Sequence, residues 1–111
     1  MLTEKIRDFA KARDWEQYHS PKNLVMALSV EVAELTEHFQ WVTQEESYKV
    51  AESKREAIRD EIGDILIYLV NLADKFGIDP LQAAHDKIEK NKTKYPAEKV
   101  KGQYRKYNEY D

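Results

Sequence analysis

The 111-residue chain has no cysteine, which excludes disulfide staples and thiolate metal sites and leaves packing or self-association to hold the fold. It has only three glycines and three prolines, too few for a turn-rich all-β chain. No apolar run approaches the ~18 residues of a membrane span. The opening MLTEKIRDFAKARDW carries charge of both signs and lacks the apolar centre of a signal peptide. A cytoplasmic protein without a membrane partner is the expectation. The net charge of -3 gives no bulk attraction for a nucleic acid polymer, yet it leaves room for one nucleotide held through a metal ion.

Apolar residues recur at spacings of three and four rather than two, so the fold class is all-α. Four helices are expected in one domain over residues 1–96, followed by a polar tail over 97–111. The first runs from about Leu2 to Arg13. Ser20-Pro21, an N-cap followed by the proline favoured at the first helical position, opens a second that reaches about Gln40. Thr43 to Ser47 reads as a polar connection, and a third helix extends from about Tyr48 to Phe76 and stops at Gly77. Asp79-Pro80 repeats the cap and opens a fourth helix that ends before Pro96. Tyr104, Tyr107 and Tyr110 mark the tail with a spacing of three. Between Ile62 and Ala73 apolar residues cover almost the whole circumference of the third helix. Three other helices of one chain cannot cover it all, so a homo-oligomer is expected.

The acidic residues inside apolar segments carry the chemistry. In LSVEVAELTEHF, Glu31 and Glu34 stand three apart, which puts their carboxylates on one helix face with Cβ atoms roughly 5 to 6 Å apart. Glu61 and Asp64 in RDEIGDILIYL repeat the spacing. Four acids gathered in a poorly solvated place raise each other's pKa, and a divalent cation removes that conflict. Magnesium suits an all-oxygen set that leaves positions for water and phosphate, and manganese can use the same ligands. A solvated acidic face is the plain alternative for any single Glu-x-x-Glu; the doubled pair favours the metal. A di-iron bundle would need Glu-x-x-His, and no histidine follows any of the four acids at that spacing.

The segments RDWEQYHSPKNLVMALSVEVAEL, HFQW, DEIGDILIYLVNLA and KIEKNKTKYP together resemble the MazG-like family of all-α nucleoside triphosphate pyrophosphohydrolases, in its dCTP pyrophosphatase branch, over roughly Phe9 to Pro96. The resemblance implies cleavage between the α and β phosphates of a (d)NTP, giving (d)NMP and pyrophosphate, with dCTP-like or modified nucleotides as substrates. It implies Mg²⁺ on Glu31, Glu34, Glu61 and Asp64, and a homodimer or a tetramer built from dimers. Many members have a further glutamate just before the first pair; this chain has Val30 there, and that branch shows a similar absence. Trp15, His19 and Trp41 match residues lining the nucleobase pocket of the branch. Tyr68 is placed near sugar or phosphate, Lys87, Asn91 and Lys94 on one face of the fourth helix suited to phosphate, and Lys22 and Asn23 at the second helix N-terminus, where anions are favoured. Glu34 is the candidate general base. The competing readings are a catalytically silent helical module that binds nucleotide or protein, and a redox carboxylate metalloprotein.

Overall fold

The computed structural model describes residues 1–102 and consists of helices joined by short turns. Helices α1 (Leu2–Ala12), α2 (Pro21–Glu37), α3 (Gln44–Ser53) and α4 (Arg55–Lys75) belong to one compact unit, Met1–Gly77. A 3₁₀ turn, Glu16–Tyr18, joins α1 to α2. The second unit begins at Ile78 and contains α5 (Pro80–Lys94) and α6 (Ala97–Val100). Among the described residues no helix is long and apolar enough to cross a membrane.

The caps show why the helices start where they do. Ser20 Oγ accepts from the Asn23 amide at 3.2 Å, with Pro21 at the first helical position of α2. Asp79 Oδ1 accepts from the Leu81 and Gln82 amides at 3.0 and 3.3 Å at the start of α5. Gly77 ends the turn after α4 at φ 64°, a left-handed conformation that glycine adopts without a steric cost.

At the end of α1 the Trp15 amide donates to the Ala10 carbonyl at 2.9 Å and the Asp14 amide to Lys11 at 3.1 Å, with Asp14 at φ 54°. This is a Schellman closure, with aspartate in the left-handed place that glycine usually takes. It folds the chain back so that Trp15 meets Phe9 edge to face, centroids 5.6 Å apart.

Three expectations are corrected. Residues 43–47 are not a connection: Thr43 Oγ1 accepts from the Glu46 amide at 3.1 Å and caps α3, which begins at Gln44. The long third helix is two helices, α3 and α4, divided at Lys54, whose φ of -111° and ψ of 25° leave the helical well. The second helix also stops at Glu37 rather than Gln40. In the expected tail, Ala97–Val100 forms the short α6, whereas Tyr104, Tyr107 and Tyr110 lie outside the described residues.

Within the first unit α4 is the shared partner, packed by α1, α2 and α3. Arg7 of α1 clasps Asp74 of α4 bidentately, Nε to Oδ2 at 2.8 Å. The apolar residues buried among those described are Ile6, Ala10, Leu24, Val70 and Ala73. Large apolar side chains on α2 (Val25, Met26, Val30, Val32) and α4 (Ile62, Leu66, Ile67, Leu69) remain 41 to 58% exposed. These faces belong to the two helices that carry the paired acids.

Candidate metal centre

The acids of α2 and α4 meet because those two helices pack together. One carboxylate oxygen from each of Glu31, Glu34 and Glu61 lies within 4.8 Å of the others. Asp64 does not join that tight group, but it lines the same cleft as Glu31 and its charge acts on it. Glu31 Oε2 and Glu61 Oε2 are buried with no hydrogen-bond partner. An orphaned buried carboxylate oxygen is costly, and two of them facing like-charged neighbours make a set of hard oxygen donors lacking a positive centre. The residues present therefore fit a divalent cation.

The electrostatics agree with the geometry. Burial pushes the Glu31 carboxyl up to about 7, helped by the Glu61 and Glu34 carboxylates, which accept from its protonated form, and by the negative charges of Glu34 and Asp64. An acid raised in this way binds more protons folded than unfolded between its ordinary value, 4.5, and about 7. The metal-free protein should thus lose stability as pH rises through that interval. Thermal melts in chelator from pH 5 to 8 test this: the midpoint should fall, magnesium should reverse the fall at pH 8, and Glu31→Gln should flatten the profile. A wild-type midpoint that rises steadily with pH over that interval would contradict it. Asp74 behaves oppositely, because the hydrogen bond from Arg7 holds its carboxyl below the usual range. Its stabilisation is complete above about pH 4 and is lost as pH falls through the depressed value, outside the interval that reports Glu31.

A cleft of about 460 Å³ opens beside the acids. Its α4 wall carries Asp64, Ile67, Tyr68 and Asn71, positions spaced by three and four on one helix face. Phe9 of α1 and Trp15 form its aromatic side, with the Arg13 guanidinium stacked 3.7 Å over the Phe9 ring. His19 also lines it, its Nδ1 3.2 Å from the Asn71 side-chain nitrogen.

Of the expected site residues, Glu31, Glu34 and Glu61 converge, and Asp64, Trp15, His19 and Tyr68 share the cleft with Glu31. Trp41 is not brought there: it is 88% exposed, in the turn after α2. Asn23 serves the helix start, its side chain donating to the Tyr18 carbonyl at 3.0 Å. Lys87 and Asn91 lie on α5 in the second unit, where the Lys87 ammonium is held below the usual lysine range by the like charge of Lys94, by desolvation and by Lys90. Sequence reasoning missed Asn71, although an amide seven residues after Asp64 in a run as apolar as ILIYLVNLA was a signal.

Comparison with known proteins supplies the family. The model of the MazG-like family matches residues 26–110. The chain is 46% identical over 104 residues to dCTP pyrophosphatase 1 of Bos taurus, covering 92% of this chain and 62% of that protein. It is 45% identical to the Homo sapiens protein of the same name, covering 92% and 61%. The chain thus spans less than two thirds of the length of these curated relatives. A crystal structure of a pyrophosphatase from Archaeoglobus fulgidus superposes with a TM-score of 0.83 at 45% identity, covering 86% of this chain and 89% of that one. Family model, sequence relatives and fold point the same way, and the chain belongs to the MazG-like family.

Proposed function

We propose that this chain is a magnesium-dependent nucleoside triphosphate pyrophosphohydrolase, cleaving a (d)NTP to (d)NMP and pyrophosphate in nucleotide house-cleaning. The observation that carries the reading is the trio of converging glutamates with two orphaned buried oxygens, beside a cleft walled by aromatic rings. The matched relatives are named for dCTP, and dCTP-like or modified pyrimidine triphosphates are the substrates proposed here. A cytoplasmic location goes with this substrate.

Glu31, Glu34, Glu61 and Asp64 would hold the ion. Magnesium, when bound, supplies charge neutralisation for the triphosphate and polarises the phosphoryl oxygens. Glu34 is proposed to take the proton of the attacking water as its oxygen bonds to the α phosphorus and the bond from that phosphorus to the bridging oxygen breaks, releasing pyrophosphate. Trp15 supplies a stacking face for the base and Tyr68 a hydroxyl for sugar or phosphate. Lys87 and Asn91 enter as phosphate contacts on the strength of the basic face of α5. Hydrolysis in ¹⁸O-labelled water tests the scheme: label should appear in the nucleoside monophosphate. Label in pyrophosphate, or release of orthophosphate and nucleoside diphosphate, would refute it, and absence of any hydrolysis would favour the silent binding module.

The active unit in this proposal is a homodimer or a tetramer of dimers. The support is the half-exposed apolar face on α2 and α4 set against the few buried apolar residues. A two-fold axis lets such a face bury itself on a second copy. Sedimentation at micromolar concentration should find no monomer, and the melting temperature should rise with protein concentration. A stable, fully active 13.1 kDa species would contradict it.

A further inference from the structure

Asn71 is the one buried polar residue among those described, 6% exposed, between the buried Val70 and the apolar Leu72 and Ala73 of α4. A buried amide without partners costs free energy that an aliphatic residue at the same place would not. Its side-chain nitrogen has one partner, His19 Nδ1 at 3.2 Å, reached across 52 positions of chain. The side chain also lines the cleft, and its carbonyl oxygen has no hydrogen bond among the described residues. Packing of α4 does not explain an amide here; the cleft does.

We propose that Asn71 is the positioning residue for His19, an inference that rests on the nucleotide reading of the cleft. An amide NH₂ can only donate, so His19 Nδ1 must accept. The imidazole is then neutral with its proton on Nε2, and its plane is fixed by a buried partner. The pair adds to the apolar and aromatic lining of the cleft one fixed donor, His19 Nε2–H, and one free acceptor, Asn71 Oδ1. A heteroaromatic base offers the complement, an acceptor and a donor side by side on its edge. Trp15, four residues before His19, lines the same cleft and would take the ring face. Asn71 acts through His19 and through its own carbonyl on the ligand's orientation, not on the reacting phosphate.

Two measurements test this. Long-range ¹H–¹⁵N spectra of the histidine-labelled, nucleotide-free protein report the tautomer without any need for activity. They should show His19 unprotonated at Nδ1 in the wild type, protonated at Nδ1 in Asn71→Asp, and in mixed tautomers in Asn71→Ala. A wild-type His19 carrying its proton on Nδ1 would overturn the proposal, even if the enzyme hydrolyses nucleotides. Conversely, the expected tautomer with no hydrolysis would leave the positioning role standing and sink the proposed activity. In steady-state assays Asn71→Ala should raise KM for the preferred triphosphate about tenfold with kcat changed less than threefold, the loss expected for one buried hydrogen bond. The same substitution in a His19→Ala background should add less than threefold. Equal rises in both backgrounds, or a fall confined to kcat, would show that Asn71 does not work through His19. If Asn71→Ala fails to fold, Asn71→Asp carries the cycle with the same expectations.

Discussion

Replacing Glu31 or Glu61 with alanine is expected to lower metal-dependent pyrophosphate release by about a thousandfold or more. The ion proposed here contributes several kcal/mol of charge stabilisation, and each 1.36 kcal/mol is a factor of ten. Both residues place a buried, unpartnered oxygen at the junction of α2 and α4, so neither can be replaced by water without loss of the donor set. The loss should not come from unfolding. Removing one acid from a group of buried, like-charged neighbours relieves repulsion, so at pH 8 in chelator the variants should melt no lower than the wild type. Activity within tenfold of wild type would show that the cluster is an acidic face with no catalytic use.

The second large effect concerns stability. Leu24→Ala should cost about 2 to 5 kcal/mol, because Leu24 is 1% exposed and the only large side chain of the described residues to be fully buried. Against the usual total of about 5 to 15 kcal/mol, this is a major fraction in a chain with so few buried apolar residues. The position lies one turn into α2, directly after the Ser20 cap, and its amide donates to the Ser20 carbonyl at 2.9 Å. Loosening it should also loosen the helix that carries Glu31 and Glu34. Urea unfolding would measure the loss, and a change below 1 kcal/mol would mean that the packing around Leu24 is not what holds α2.

Much of this was legible in the sequence where local chemistry decides the outcome. Ser20-Pro21 and Asp79-Pro80 fixed two helix starts because a side-chain oxygen and a proline act within one turn. Gly77 marked a stop because φ of 64° suits few other residues. The paired acids were legible because spacing of three fixes a helix face. Thr43 was missed because α3 begins in the polar run QEES, where no apolar period announces a helix, although threonine three before Glu46 is a capping pattern. The break at Lys54 carries no glycine or proline, so nothing local marks it. Asp64 standing just outside the glutamate trio, and Trp41 standing exposed, depend on how α2 and α4 cross and where the turn leaves α2. The bond from Asn71 to His19 joins residues far apart in sequence, and no periodicity encodes it.

The central claim is that α2 and α4 bring their acids together to bind a divalent cation. Manganese titration followed by the electron paramagnetic resonance of the free ion measures that binding without reference to any substrate. At pH 8 the wild type should bind Mn²⁺ saturably, competed by Mg²⁺, with affinity falling as pH drops below about 7, where Glu31 takes up its proton. The Glu31→Gln/Glu61→Gln double variant, folded by circular dichroism, should bind at least a hundredfold more weakly. Equal binding by the double variant, or none by the wild type, would contradict the account.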